Sequence, residues 1–143
     1  MITHHAALIY TMVMISAADR DMTDAELRKI GEIIQGLPVF KDYNRELLPA
    51  TAAACAECLD VDDGLEAALA QIEAALPAKL RETAYALACD VAAADGRVDR
   101  EELRMLEMIR DRLAVDRLVA VAIERAAKAR FTTFGRQADT PAS

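Results

Sequence analysis

Ala92-Ala93-Ala94-Asp95-Gly96-Arg97-Val98-Asp99-Arg100-Glu101-Glu102-Leu103 repeats, 76 residues on, the plan of Ser16-Ala17-Ala18-Asp19-Arg20-Asp21-Met22-Thr23-Asp24-Ala25-Glu26-Leu27. Ala17, Ala18, Asp19, Glu26 and Leu27 return as Ala93, Ala94, Asp95, Glu102 and Leu103. Met22 and Val98 are both apolar, and Ile30 and Ile33 continue the pattern where Leu106 and Ile109 do so later. Each copy reads as an apolar helix, a short acidic loop and an amphipathic helix, because its apolar residues recur at three- and four-residue spacing after the loop. The chain is thereby predicted to contain two related helix–loop–helix units.

Working outward, the same periodicity draws seven helices. The first, over 5–18, is apolar nearly all round and should be buried. The second, over 24–35, carries Leu27, Ile30, Ile33 and Ile34 on one face, and Gly36 and Pro38 end it. A third segment, 41–59, contains Pro49, so it is either two short helices or one helix bent there. The fourth, 63–76, is headed by Asp63 with Glu66 three residues on, the spacing of a capping box. Pro77 suits the first turn of the fifth, 77–94. The sixth, 100–114, presents Leu103, Leu106, Ile109 and Leu113; the seventh, 116–130, presents Leu118, Val121, Ala122 and Ile123. Two helices thus lie inserted between the two units. No segment alternates as a strand would.

Composition agrees. The chain has 143 residues, 54% of them hydrophobic but only 4% aromatic, with no tryptophan, five glycines and four prolines. So few turn formers argue against a sandwich or barrel. Abundant Ala, Leu, Ile, Glu and Arg favour helix, since they lose little rotamer freedom there. The length fits one domain. The expectation is an all-α, compact single-domain bundle over residues 1–134, with the small, polar stretch 135–143 a frayed tail.

The two loops carry the chemistry. Thr23 with Glu26, and Asp99 with Glu102, have capping-box spacing, in which the side chains satisfy free backbone N–H groups at a helix start. Capping leaves Asp19 and Asp95 unexplained, since each falls at a helix C-terminus, where exposed carbonyls repel a negative charge. An Asx turn, with Gly96 left-handed, is one compensation. A shared cation is another. Asp95-Gly96-Arg97-Val98-Asp99-Arg100-Glu101-Glu102 follows the latter half of a calcium-binding helix–loop–helix, where Asp-Gly makes the turn and a later Glu supplies oxygens. The front half departs from it: Val91 and Ala93 stand where ligands would be, so an ordinary EF-hand is excluded. Asp63-Gly64 also precedes a helix, but Ala70 stands seven residues after the Asp, where Asp19 and Asp95 have Glu. Structural caps and a divalent-cation site both remain open, with Ca²⁺ the first candidate because the donors are hard oxygens.

On these residues the chain resembles the TerB-like family of tellurite-resistance proteins, across about residues 6–130. The resemblance implies a compact all-helical domain built on acidic helix–loop–helix pairs. It also implies a role in tellurite resistance and wider stress responses, metal binding through the loop acids, and protein partners that include membrane-associated ones. Carried over by position, the metal-site residues are Asp95, Asp99 and Glu102, with Asp19, Thr23 and Glu26 in the first copy. Asp21 adds an acid where the second copy has Arg97, and Arg20 stands in place of Gly96.

Other candidates read as structural. Cys55 and Cys58 form a CxxC that ends an alanine-rich helix without a preceding strand, and Cys89 stands alone, so packed thiols are expected. His4 and His5, the only histidines, are expected at a solvated, frayed end. Asp60, Asp62, Asp63 and Glu66 read as a helix start and solvated surface. Arg125, Lys128 and Arg130 suit the C-terminal end of the last helix. No nucleophile–base pair, phosphate loop or dinucleotide fingerprint is present, so neither an enzyme nor an organic cofactor is expected. A net charge of −7 argues against nucleic acid. The run 6–18 is too short to span a bilayer, no leader pattern opens the chain, and three cysteines make no disulfide framework. Together these predict a cytoplasmic protein.

Overall fold

The computed structural model describes residues 1–18, 22–94 and 96–134. Seven α-helices carry the fold: α1 His4–Ser16, α2 Asp24–Ile34, α3 Leu48–Leu59, α4 Gly64–Ala75, α5 Ala78–Ala94, α6 Arg100–Arg112 and α7 Arg117–Arg130. Two 3₁₀ turns, Pro38–Phe40 and Arg45–Leu47, lie between α2 and α3. No strand occurs among the described residues.

Helix α1 is the axis of the bundle. Every residue from Ala7 to Ser16 is buried, as a helix without a polar face requires. It packs against α2, α3, α4, α5 and α6. A buried hydroxyl in mid-helix, Thr11 Oγ1, donates to the Ala7 carbonyl at 2.8 Å and so keeps its hydrogen bond out of water. Helix α5 is the second layer, resting on α1 on one side and carrying α7 on the other. Ala84, Leu87, Ala88, Val91 and Ala92 are among its buried positions, and Leu80 is half-buried. Leu106, Ile109 and Leu113 anchor α6, whereas Leu103, expected on the same face, is 53% exposed.

Four expectations are corrected. The segment 41–59 is not one bent helix, and it does not divide at Pro49: residues 41–44 are irregular, Arg45–Leu47 is a short 3₁₀ helix, and α3 begins at Leu48. Pro49 lies in the first turn, where its missing N–H leaves nothing unpaired. Asp63 heads α4 without capping it. It is left-handed, φ 59°, and its side chain accepts no cap hydrogen bond. The chain doubles back tightly there, and a Cβ on Gly64 would lie 2.3 Å from the Cys58 carbonyl oxygen. The helix start is therefore set by that backbone approach.

His5 is not frayed. Thr3 Oγ1 accepts the Ala6 N–H at 3.0 Å and caps α1, while His5 Nε2 lies 2.7 Å from the Val39 carbonyl oxygen. Its ring stands 5.2 Å from Phe40 and 5.0 Å from Tyr43. Finally, of the stripe expected on α7 only Ile123 packs against the core. Ala120 and Ala127 are buried, while Leu118 and Val121 are 79% and 55% exposed. Ala120 and Ala127 turn inward together with Ile123, while Leu118 and Val121 face outward.

Candidate functional site

The loop between α1 and α2 and the loop between α5 and α6 end in the same bonded arrangement. At Thr23, extended at φ −90°, Oγ1 accepts the Glu26 N–H at 3.1 Å, and Glu26 Oε1 accepts the Thr23 N–H at 2.8 Å. At Asp99, extended at φ −85°, Oδ1 accepts the Glu102 N–H at 2.8 Å, and Glu102 Oε1 accepts the Asp99 N–H at 3.1 Å. Both capping boxes are complete, so the sequence spacing translated into the bonds it predicts. Asp24 and Glu101 add carboxylates to the first turns of α2 and α6, at the positive end of each helix dipole.

The loops differ in depth. Glu26 is half-buried, whereas Glu102 is buried, 7% exposed. Gly96 is left-handed at φ +77°, and its N–H closes the end of α5 on the Ala93 carbonyl at 3.0 Å. This is the turn expected of Asp-Gly, open only to a residue without a Cβ at little cost. Of the seven candidate ligands, Thr23 and Glu26 are joined to each other, as are Asp99 and Glu102. Asp19, Asp21 and Asp95 lie outside the described residues. Among the described residues no three His, Cys, Asp or Glu side chains converge as a metal site.

The remaining candidates resolve into packing. Cys55 and Cys89 are buried, and burial pushes each thiol up to about 12, Cys55 further by the nearby Cys58. Such thiols stay protonated and unreactive. Cys58 is half-buried and accepts the Gln71 side-chain amide at 3.6 Å. Asp60, Asp62, Asp63 and Glu66 are exposed, and Glu66 reaches Arg112 at 2.8 Å. Arg112 also holds Glu73 at 2.6 Å, and that hydrogen bond holds the Glu73 carboxyl below its usual range. Arg130 pairs with Asp90 and so ties α7 to α5.

Sequence reasoning missed a groove of about 980 Å³ between α6 and α7, floored by α5. At its base Tyr85 Oη donates to Glu124 Oε2 at 2.6 Å, and burial pushes the phenol well above its usual range. Ala92 and Ala93, small and on the α5 face that α6 and α7 flank, were its only trace in the sequence.

Among the described residues no helix is long and apolar enough to cross a membrane. Compared with protein families, residues 5–125 match the tellurite resistance protein TerB. No curated protein and no solved structure matches the chain.

Proposed function

The chain belongs to the TerB family of tellurite resistance proteins, and we propose that it is a non-catalytic stress-response protein whose two acidic loops hold a divalent cation, Ca²⁺ first. The observation that carries this reading is the matched pair of loops, each ending in the same bonded arrangement, with an Asp seven positions before its Glu in the sequence. The donors, carboxylates and a threonine hydroxyl, are the hard oxygens such cations take. Capping engages Asp99 Oδ1 and Glu102 Oε1, so the box itself pre-orients both carboxylates. Asp95, Asp99 and Glu102 would hold the ion in the second loop; Asp19, Asp21, Thr23 and Glu26 would do so in the first. The cation supplies positive charge where acids crowd a helix end. By mass action it stabilises the arrangement that binds it, by ~2.7 kcal/mol at about 100 Kd.

In this reading the protein acts in the cytoplasm through protein partners, membrane-associated ones included, and not through nucleic acid or an organic cofactor. A second reading is favoured by the completeness of both capping boxes: a metal-independent protein-interaction scaffold whose loops are caps alone.

Calorimetric titration with Ca²⁺, Mg²⁺, Mn²⁺ and Zn²⁺ separates the two. Binding is expected, with Asp95→Asn weakening it while leaving the metal-free melting temperature in place, since Asp95 is no member of the capping box. Silence from all four ions at millimolar concentration, in heat and in melting temperature, rejects the cation reading and leaves the scaffold.

A further inference from the structure

Helix α7 stands at the edge of the bundle. Among the described residues its extended packing is against α5 alone, whereas α6 packs on α1, α4 and α5. What α7 buries is small. Ala120 and Ala127 are buried and Ile123 is half-buried, while α1 buries every residue from Ala7 to Ser16. Little apolar area therefore holds α7 in place. An element with few buried apolar contacts opens before the rest of a fold does.

Its end caps are its own. At the head, Asp116 Oδ2 accepts the Leu118 N–H at 3.1 Å. At the other end the Phe131 N–H donates to the Ala127 carbonyl at 3.2 Å, and Thr132 Oγ1 donates to the Lys128 carbonyl at 2.7 Å. The helix can leave α5 with these caps intact. Among the described residues two side-chain bonds cross from α7 to α5. Tyr85 Oη donates to Glu124 Oε2 at 2.6 Å, and Arg130 pairs with Asp90 in the last turn. A joint stands where α6 gives way to α7. Leu113, 3% exposed, anchors the end of α6, and the next residue, Ala114, is left-handed at φ 54°. That conformation is strained for a residue with a Cβ, so the change of direction is concentrated at one position between an anchored helix and a lightly held one.

We propose that α7 is a latch: an intact helix that swings off α5 about Ala114 and is held shut by the Tyr85–Glu124 and Asp90–Arg130 clasps. Closed, it supplies one wall of the groove through Ala127, Lys128 and Phe131. Open, it bares the α5 face at Tyr85 and Cys89, which are 1% and 5% exposed at rest. The latch uses neither acidic loop, so it is independent of cation binding and is tested with a chelator present.

Native-state hydrogen exchange of the full chain reads the opening directly. The amides of α7 are expected to exchange together, with protection about tenfold or more below that of α1. Glu124→Ala is expected to lower α7 protection about tenfold more, since it removes a charged hydrogen bond, and Arg130→Ala about threefold, as an exposed ion pair would. Protection of α1 should persist in both. Thiol modification by a maleimide, resolved by peptide mass, supplies a second reading. Cys89 stands beside the clasps, whereas Cys55 is fully buried with its thiol against the Tyr10 carbonyl of α1. Cys89 is expected to react faster than Cys55, and the clasp variants to speed Cys89 alone. Should Glu124→Ala fail to fold, Arg130→Ala still decides. Exchange of α7 in step with α1 overturns the proposal, because the helix then leaves only on global unfolding. Protection that fades residue by residue from Phe131 inward overturns it as well, since that is fraying. So does a Cys89 rate indifferent to both clasp variants, which places its access through the closed groove.

Discussion

Glu102 is the one charged side chain among the described residues that is buried, and it stays there because its carboxylate is bonded to backbone rather than left bare. Buried groups of the opposite habit are the thiols of Cys55 and Cys89. Burial above all makes them weaker acids, raising their pKa from the ordinary 9.0 to about 12. The sign follows directly. Below pH 9 the thiols are neutral in both folded and unfolded chains, and folding feels no penalty. Between about pH 9 and 12 the unfolded chain ionises them while the folded one does not, so stability falls as pH rises through that window. Melting temperature measured from neutral pH upward is expected to decline there. Cys55→Ala should lower stability at neutral pH and flatten the alkaline decline; an unchanged alkaline slope would show that Cys55 is not among its causes.

At the scale of the element, the two capping boxes make the cleanest comparison in the molecule. The heads of α2 and α6 use the same pair of bonds, yet one box is half-exposed and the other closes over a buried glutamate. Loss of an N-cap costs about 1 kcal/mol. Thr23→Ala and Asp99→Ala are each expected to lower unfolding free energy by that order in urea titrations, with Asp99→Ala the costlier, because it leaves buried Glu102 with one bond fewer. Equal costs at the two sites would show that the depth of Glu102 does not matter. The boxes were legible because S/T/D-x-x-E spacing is a local code that needs no tertiary context. The head of α4 carries the same code at Asp63 and Glu66, and there it failed. The tight approach of Gly64 to the end of α3 forces a left-handed Asp63, and side-chain capping is lost to backbone packing.

For the whole molecule, stability concentrates on α1, which touches five other helices. Leu8→Ala, at a fully buried site, is expected to cost about 2–5 kcal/mol through lost burial and the cavity left behind. Leu118→Ala, at 79% exposure, is expected to change monomer stability by less than about 0.5 kcal/mol. Chemical denaturation of both variants measures the contrast, and comparable losses would contradict the placement of α1 at the centre.

The sequence by itself determined the helices, the loops that carry the acids, the capping bonds at Thr23 and Asp99, and the family. Each of these rests on local spacing: the helical period, the box code, the left-handed turn that Asp-Gly permits. Only the tertiary structure decided which face of α7 is buried, that His5 is held against Phe40 and Tyr43, and that α6 and α7 diverge into a groove. These depend on which neighbour a helix finds. A stripe of Leu118, Val121, Ala122 and Ile123 reads as core by period alone, but it is Ala120, Ile123 and Ala127 that turn inward, and Leu118 and Val121 that face outward.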